Sequence, residues 1–288
     1  METIEQNHIT LDAIEMDGNL STSVLRLDKI HAQVSGNKWF KLNYHLEAAK
    51  KAGKDTIITF GGAYSNHIIA TAVACQMFGF KSIGIIRGER PLQLSHTLLD
   101  AMEYGMDLHF ISRTDYRQKL IPTDIELDHA FIVNEGGSGT LGAQGFKDID
   151  LDTSQFDFTI CSVGTGTMMA GLMNAGFKNV IGISVMKNNI ELNKIVADLT
   201  NKPLDEIQML HHFHHGGYAK YTPELIHFMN DFYRQTNIPT DFVYSGKTMF
   251  AAHQLIQQKY FPDGARVLII HCGGLQGNLS LPKGTLIF

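Results

Sequence analysis

The feature that most restricts the fold is a series of short runs rich in β-branched and aromatic residues, several of which end in glycine-rich junctions. Seven such runs lie at residues 55–62, 81–88, 107–112, 130–137, 158–166, 179–185 and 266–274. Several are apolar on both faces, as buried parallel strands are. Helical patterns lie between them at residues 66–79, 165–176 and 224–235. This alternation predicts an α/β chain with parallel sheets.

Seven strands, with a long helical stretch before the last one, are more than a single compact sheet usually holds. The sequence therefore predicts two doubly wound lobes. Glycine is concentrated in GGSGTLGAQG, and a boundary formed by an ordered glycine loop is predicted near residues 136–150. No internal repeat, low-complexity tract or block of like charge is visible.

Composition narrows the class of partner and the compartment. The 288 residues are 44% hydrophobic and 18% charged, as in a soluble globular protein, and a net charge of −5 disfavours nucleic acid. The three cysteines show no CxxC or Cys/His ligand spacing, so neither a disulfide framework nor a zinc site is predicted. No apolar signal core and no stretch of roughly 18 apolar residues is found, so no membrane partner is expected. The sequence predicts a cytoplasmic protein whose partner is a small molecule.

The first glycine-rich junction is GGAYSNH, at residues 61–67. It places Ser65 and Asn66 where a helix should begin, with side-chain donors beside unpaired backbone N–H groups. A carboxylate would bind well there. An ordinary helix cap is an equally good interpretation, because serine and asparagine are preferred at that position.

The second junction, SVGTGTMMAGL at residues 162–172, alternates glycine and threonine before a helical pattern. Backbone N–H groups of Gly164 and Gly166 could wrap a phosphate, and Thr165 and Thr167 could add hydroxyl donors. The stretch is neither a P-loop nor GxGxxG, and a close packing turn between strand and helix explains it equally well.

The third junction, HCGGLQGN at residues 271–278, follows the last strand with Cys272 and two glycines, which would admit a flat ligand or form a tight turn. Upstream, HHFHH at residues 211–215 suggests a metal site, but no acidic or cysteine ligand stands at suitable spacing, so a structural or exposed role is favoured. Tyr218 follows a glycine pair, which could bring a phenol into a cleft.

A lysine stands at a comparable junction in SGNKWFKL, residues 35–42. Taken alone, Lys38 would be a solvated surface lysine. Together, a lysine, a phosphate cradle, an anion site and a glycine turn that admits a ring are what pyridoxal phosphate requires, because the lysine forms a Schiff base with its aldehyde.

These motifs, in this order, resemble the fold-type II pyridoxal-phosphate enzymes that include 1-aminocyclopropane-1-carboxylate (ACC) deaminase and D-cysteine desulfhydrase. The resemblance runs from SGNKWFKL to HCGG. It implies the fold of the tryptophan synthase β subunit, with a small α/β domain at 44–136 and a large cofactor-binding domain formed by 1–43 and 137–288. It also implies a homodimer that takes a small amino acid as substrate.

The resemblance assigns roles residue by residue. Lys38 matches the Schiff-base lysine of the GNKxRKL pattern, although Phe40 replaces its arginine, and Lys41 matches a second lysine near the phosphate. Ser65 and Asn66 match residues that bind the substrate carboxylate and the cofactor. NEGGSGTLGAQGF is similar to a third family motif, and SVGTGTMMAGL to the phosphate loop, which adds Gly164, Thr165, Gly166 and Thr167 as cofactor ligands.

Two positions separate the members of the family. In FVYSGKTMF, Tyr244 matches an active-site tyrosine, and Ser245 stands where ACC deaminases have glutamate and desulfhydrases have serine or threonine. Cys272 stands where the deaminases have leucine and the desulfhydrases threonine. Both Ser245 and Cys272 are thereby predicted to contact the cofactor. A carboxylate beside the pyridine nitrogen would strengthen the ring as an electron sink, and a hydroxyl does so less.

The implied reaction is β-elimination from D-cysteine, which gives pyruvate, ammonia and sulfide. Lys38, Ser65, Tyr218 and Tyr244 are the predicted catalytic residues, and no metal is predicted. Two alternatives stay open: an ACC deaminase, and a protein that binds pyridoxal phosphate without catalysis.

Overall fold

The computed structural model describes residues 8–16 and 19–288 and contains two sheets. The larger sheet has six strands in the order β1-β2-β10-β7-β8-β9, and the smaller has four in the order β5-β4-β3-β6. The strands are β1 (Leu11–Ile14), β2 (Ser21–Arg26), β3 (Thr56–Gly61), β4 (Lys81–Arg87), β5 (Met106–Ile111), β6 (Ala130–Val133), β7 (Phe158–Val163), β8 (Val180–Ser184), β9 (Met209–Leu210) and β10 (Arg266–His271). Every pairing is parallel except that of β1 with β2.

Helices cover the sheets. They are α1 (Asn37–Lys51), α2 (Asn66–Phe78), α3 (His96–Glu103), α4 (Arg113–Arg117), α5 (Thr140–Gln144), α6 (Thr167–Asn174), α7 (Glu191–Thr200), α8 (Pro223–Thr236) and α9 (Ser245–Gln257). The two-lobed parallel α/β fold is confirmed, and each of the seven predicted strands and three predicted helices is present with ends shifted by a few residues. Within the described ranges, no helix combines the length and apolar character needed to cross a bilayer.

Three strands have no counterpart among the predicted runs. β1 and β9 are short edge strands, and β2 reads STSVLR, in which four of the six residues are polar. β2 is a strand because it pairs in parallel with β10, from Ser21 opposite Arg266 to Arg26 opposite His271. A contact between the two ends of the chain leaves no periodic signal in either local sequence.

The chain crosses between the lobes through α1 and again after β6. All four strands of the smaller sheet lie within the predicted small domain, residues 44–136, and β2 and β10 place both ends of the chain in the larger sheet. α1 itself runs across the boundary at residue 43, and the predicted glycine loop contains the short helix α5. The domain division at these residues stays a prediction.

The hydrophobic core is continuous from one lobe to the other. One cluster of buried residues includes Leu42 of α1, Ile69 of α2, Met169 of α6 and Leu268 of β10. A second cluster packs α8 and α9 on the opposite face of the larger sheet. This packing brings together the carboxyl ends of β3, β7 and β10, which is where open α/β sheets bind ligands. Asn66, after β3, bonds to Gly274, and Ser162 of β7 bonds to Cys272.

Candidate active site

The start of α1 is docked against the end of β10. Gly36, with φ of 63°, caps the helix, and a Cβ at that position would lie only 1.8 Å from the carbonyl oxygen of Cys272. The N–H of Asn37 donates to the same carbonyl at 2.9 Å. Only glycine permits both this approach and this backbone conformation. The contact places Lys38 in the first turn of α1, with its Nζ 3.4 Å from the carbonyl oxygen of Gly136.

The environment of Lys38 favours its neutral form. Desolvation lowers the pKa of Lys38 to about 8, although the acidic groups of Cys272 and Glu135 act in the opposite direction. A pKa of about 8 makes roughly a tenth of the amine free at pH 7, far more than for an ordinary lysine, and the free amine is the form that attacks an aldehyde or removes a proton.

A second buried lysine faces the threonine junction. Lys41 is 4% exposed, and its Nζ lies 3.5 Å from Oγ1 of Thr165. Oγ1 of Thr165 donates to Oγ1 of Thr167 at 3.2 Å, and Gly166 adopts φ of 77° at the start of α6. Within residues 8–16 and 19–288, no carboxylate forms an ion pair with Lys38 or Lys41.

Two neighbouring lysines in this environment need an anion. Burial and the charge of Lys38 hold the pKa of Lys41 well below its usual range, which shows how unfavourable a second uncompensated ammonium is there. A phosphate that accepts from Lys41, Thr165 and the first N–H groups of α6 would supply the missing charge. The residues present therefore fit the phosphate of pyridoxal phosphate.

A neutral imidazole lies behind the lysines. Nε2 of His67 is 2.8 Å from Oγ1 of Thr59, and that hydroxyl donates to the carbonyl of Val133 at 2.8 Å. Thr59 has one proton, so it must accept from an Nε2–H of His67. Burial and the two lysines hold the pKa of His67 well below its usual range, so no third positive charge is added. Its sequence signal is limited to the SNH triplet at residues 65–67.

Ser65 and Asn66 begin α2, as predicted. Oγ of Ser65 accepts from the N–H groups of His67 and Ile68 at 3.3 and 3.4 Å, so the helix-cap interpretation is confirmed. These contacts use the oxygen only, and the hydroxyl proton can still be donated to a carboxylate. Nδ2 of Asn66 donates to the carbonyl of Gly274 at 3.1 Å, and its buried Oδ1 has no partner within the described residues. A buried acceptor of this kind is suited to a ligand that donates a hydrogen bond.

The two predicted phenols lie together, although 26 positions separate Tyr218 from Tyr244 in the chain. Their ring centroids are 6.0 Å apart at an interplanar angle of 70°. A Cβ at Gly164 would lie 3.1 Å from Cε1 of Tyr244, so this tyrosine borders the junction at residues 162–172. Burial raises the pKa of Tyr244 well above its usual range, and partial desolvation raises that of the half-exposed Tyr218, so both phenols are hydrogen-bond donors at neutral pH.

Ser245 is fully buried at the start of α9, where it is bound to Asp241. Its hydroxyl donates to Oδ1 of Asp241 at 2.6 Å and accepts from the backbone N–H of Asp241 at 2.8 Å. The same carboxylate accepts from the N–H groups of Val243 and Tyr244. The single hydroxyl proton of Ser245 is thus already donated. Asp241 is absent from the residues singled out in the sequence, because it lies three positions before the helix cap, Tyr244, where an acid is not a capping signal.

Cys272 lies at the end of β10 and is 4% exposed. Oγ of Ser162, at the end of β7, donates to its Sγ at 3.3 Å. Burial raises the pKa of Cys272 to about 12, so the thiol is neutral at physiological pH. Contact of Cys272 or Ser245 with the cofactor stays a prediction.

The HHFHH stretch has ordinary structural partners. Nε2 of His211 lies 2.8 Å from Oδ1 of Asn193, and Nδ1 of His215 lies 2.9 Å from Oγ1 of Thr222. In the part of the chain that the structure describes, no three His, Cys, Asp or Glu residues are grouped closely enough to hold a metal.

The fold and the site together define a class of protein: an α/β enzyme whose cleft presents a depressed-pKa lysine beside an anion cradle. A family model described as "Pyridoxal-phosphate dependent enzyme" matches residues 15–273. The chain belongs to this family, and pyridoxal phosphate is its cofactor.

Individual relatives are more distant. A Thermotoga maritima protein named "Putative 1-aminocyclopropane-1-carboxylate deaminase" is 29% identical over 273 residues, which cover 84% of this chain and 85% of that protein. An Arabidopsis thaliana protein named "Bifunctional D-cysteine desulfhydrase/1-aminocyclopropane-1-carboxylate deaminase, mitochondrial" is 27% identical over 292 residues, which cover 88% and 72%. The solved structure of an ACC deaminase homologue aligns with a TM-score of 0.79 and 23% identity over 96% of this chain and 92% of that one, which confirms the fold.

Proposed function

We propose that the enzyme eliminates sulfide from D-cysteine, with the cofactor held between Lys38 and the threonine junction. The observation that carries the cofactor assignment is the pair of buried lysines without a carboxylate partner, one of which faces Thr165. In this proposal Lys38 attaches covalently to the aldehyde, and the phosphate is bound by Lys41, Gly164, Thr165, Gly166 and Thr167. Asn66, Ser245 and Cys272 border the ring.

When bound, pyridoxal phosphate supplies an electron sink for a carbanion at the substrate Cα. The chain's own residues bind the substrate and move its protons. Ser65 donates its free hydroxyl proton to the substrate carboxylate, and the N-terminus of α2 adds a favourable dipole. Lys38 is the stronger candidate base, since its pKa is about 8. Tyr218 and Tyr244 stay protonated and act as donors near the leaving group.

Elimination of thiolate is favoured by the neutral groups that border the predicted ring position. Ser245 stands where ACC deaminases have glutamate, and the carboxylate bound to it, that of Asp241, already accepts from N–H groups at the start of α9. Cys272 is a neutral thiol. A hydroxyl in place of glutamate keeps the pyridine nitrogen less fully protonated, so the sink is weaker, and a good leaving group such as thiolate needs a weaker sink. The net reaction converts D-cysteine and water to pyruvate, ammonia and hydrogen sulfide.

ACC deaminase is the second candidate. It is favoured by the names of both relatives above, one of which names the two activities together. A cofactor-binding protein without catalysis is the third, but the proximity of Lys38 and Tyr244 to the junction at residues 162–172 argues for turnover.

The purified holoenzyme should be assayed with D-cysteine, L-cysteine and ACC, with sulfide, 2-oxo acid and ammonia as readouts. We expect sulfide and pyruvate from D-cysteine and little or no 2-oxo acid from ACC. Efficient ACC turnover would overturn the desulfhydrase proposal, and cofactor binding without turnover of any substrate would favour the third candidate.

We further propose a homodimer in the cytoplasm, with the small domain at 44–136 and the large domain formed by 1–43 and 137–288. The homodimer rests on the family resemblance. The compartment is supported by Cys75, Cys161 and Cys272, all of which are free and buried. Sedimentation of the holoenzyme and fractionation of cells that express it test these two points.

A further inference from the structure

A third buried lysine lies outside the cofactor cradle. Lys247, in the first turn of α9, is 0% exposed, and its Nζ donates to the carbonyl oxygen of Gly217 at 2.8 Å. Within residues 8–16 and 19–288 no carboxylate forms an ion pair with it. Burial is unfavourable for this ammonium and the charge of Asp241 offsets it only in part, so an apolar side chain would fill the same space at less cost. The bond to Gly217 is the contact that this lysine provides and an apolar residue would not.

Lys247 binds the loop at residues 214–220, whose glycines give it little preference for a single backbone conformation. Gly216 and Gly217 adopt φ of 96° and 115°, in a region that residues with a side chain rarely occupy. Glycines leave such a loop free to adopt other conformations, so its order depends on bonds to the rest of the protein. The carbonyl oxygen of Gly217 accepts twice, from the N–H of Lys220 at 3.1 Å within the loop and from Lys247 on α9.

The residue after this carbonyl is Tyr218. It is 49% exposed, so side-chain packing restrains it only in part, and its ring meets that of Tyr244 edge to face at 6.0 Å. Tyr244 directly precedes α9, three residues before Lys247, on the same turn. One turn of helix therefore carries both a phenol of the site and the cation that binds the loop bearing the other phenol.

We propose that Lys247 is a positioning residue: by binding the carbonyl oxygen of Gly217 it ties the loop at 214–220 to α9 and holds the hydroxyl of Tyr218 against Tyr244 at the active site. This inference rests on the proposed roles of the two tyrosines. It assigns Lys247 no contact with the cofactor, so cofactor binding and alignment of Tyr218 should be separable.

Kinetics on the holoenzyme test the separation. Lys247→Met should lower kcat with D-cysteine by about tenfold or more, equivalent to about 1.4 kcal/mol, and leave pyridoxal-phosphate affinity within about threefold. Tyr218→Phe should lower kcat to a similar extent. The combined variant should lower kcat no further than the more damaging of the two single substitutions does. Lys202→Met, at an exposed lysine paired with Glu206, is the matched control and should behave as the unmodified protein. Single effects that multiply in the combined variant would overturn the inference.

Amide hydrogen exchange gives a readout that needs no turnover. Lys247→Met should speed exchange in the peptide covering 214–220 at least about fivefold, with α2 unchanged, because the loop opens locally when its bond to α9 is lost. Lys247→Gln is neutral and too short to reach Gly217, should show the same effect, and replaces the methionine variant if that one does not fold. Unchanged exchange at 214–220 would overturn the inference. If exchange is faster in the Lys247 variant but the unmodified enzyme does not turn over D-cysteine, the proposed substrate is refuted and the contact between Lys247 and the loop is retained.

Discussion

The substitution Thr165→Val tests the phosphate site most directly, because valine has nearly the shape of threonine and lacks its hydroxyl. Oγ1 of Thr165 makes only long contacts, 3.2 Å to Thr167 and 3.5 Å to Lys41. Such contacts stabilise the fold little, so the free energy of unfolding of the cofactor-free protein should fall by less than about 1 kcal/mol. A hydrogen bond to a charged phosphate is worth about 1.5–3 kcal/mol. The dissociation constant of pyridoxal phosphate should therefore rise by about tenfold to a hundredfold.

The assay is a titration of cofactor-free protein with pyridoxal phosphate at constant salt, followed by absorbance, together with urea unfolding of the same samples. Thr153→Val is the matched control, since Thr153 is half-buried and its hydroxyl also makes one long contact, donating to the carbonyl of Gly176 at 3.4 Å, away from the cofactor site. It should leave the affinity unchanged. If Thr165→Val leaves the affinity for pyridoxal phosphate unchanged, the junction at residues 162–172 has a packing role and does not bind the phosphate. Equal losses of affinity and stability would show that the substitution acts through the fold.

Three further outcomes are expected. Borohydride reduction of the holoenzyme followed by peptide mapping should place the cofactor on Lys38, and label on Lys41 instead would contradict the assignment. Gly36→Ala should lower the thermal midpoint far more than Gly53→Ala, because the two glycines share a φ near 65° but only Gly36 meets a backbone atom, the oxygen of Cys272, at 1.8 Å; equal losses would remove the close approach as the reason for this glycine. The pKa of Lys38 falls from 10.5 to about 8 on folding, so the unfolded chain binds more protons between these values and stability should rise with pH there. Urea unfolding of cofactor-free Lys38→Met should accordingly show higher stability than the unmodified protein at pH 7 and a smaller gain toward pH 10, and a less stable variant at pH 7 would contradict this sign.

Local pattern was sufficient wherever a residue's role depends on its immediate neighbours. Runs such as TIITF and VLIIH are apolar on both faces and became buried strands β3 and β10. Ser65 caps α2 because serine before a helical run satisfies free N–H groups, whatever the rest of the chain does. The order of the glycine junctions along the chain likewise indicated the family, which the match over residues 15–273 confirmed.

Only the tertiary structure decided which of these groups meet and what state they are in. β2 exists through its pairing with β10, and α1 begins at Gly36 because the end of β10 lies against it. The proton of Ser245 is donated to Asp241, and Lys247 reaches a loop 30 positions away. Hydrogen-bond partners and pKa values depend on burial and on contacts between distant segments, and the local sequence predicts neither burial nor those contacts. The sequence by itself therefore determined the fold class and the cofactor, whereas long-range packing determined which hydroxyls, phenols and amines are free to act.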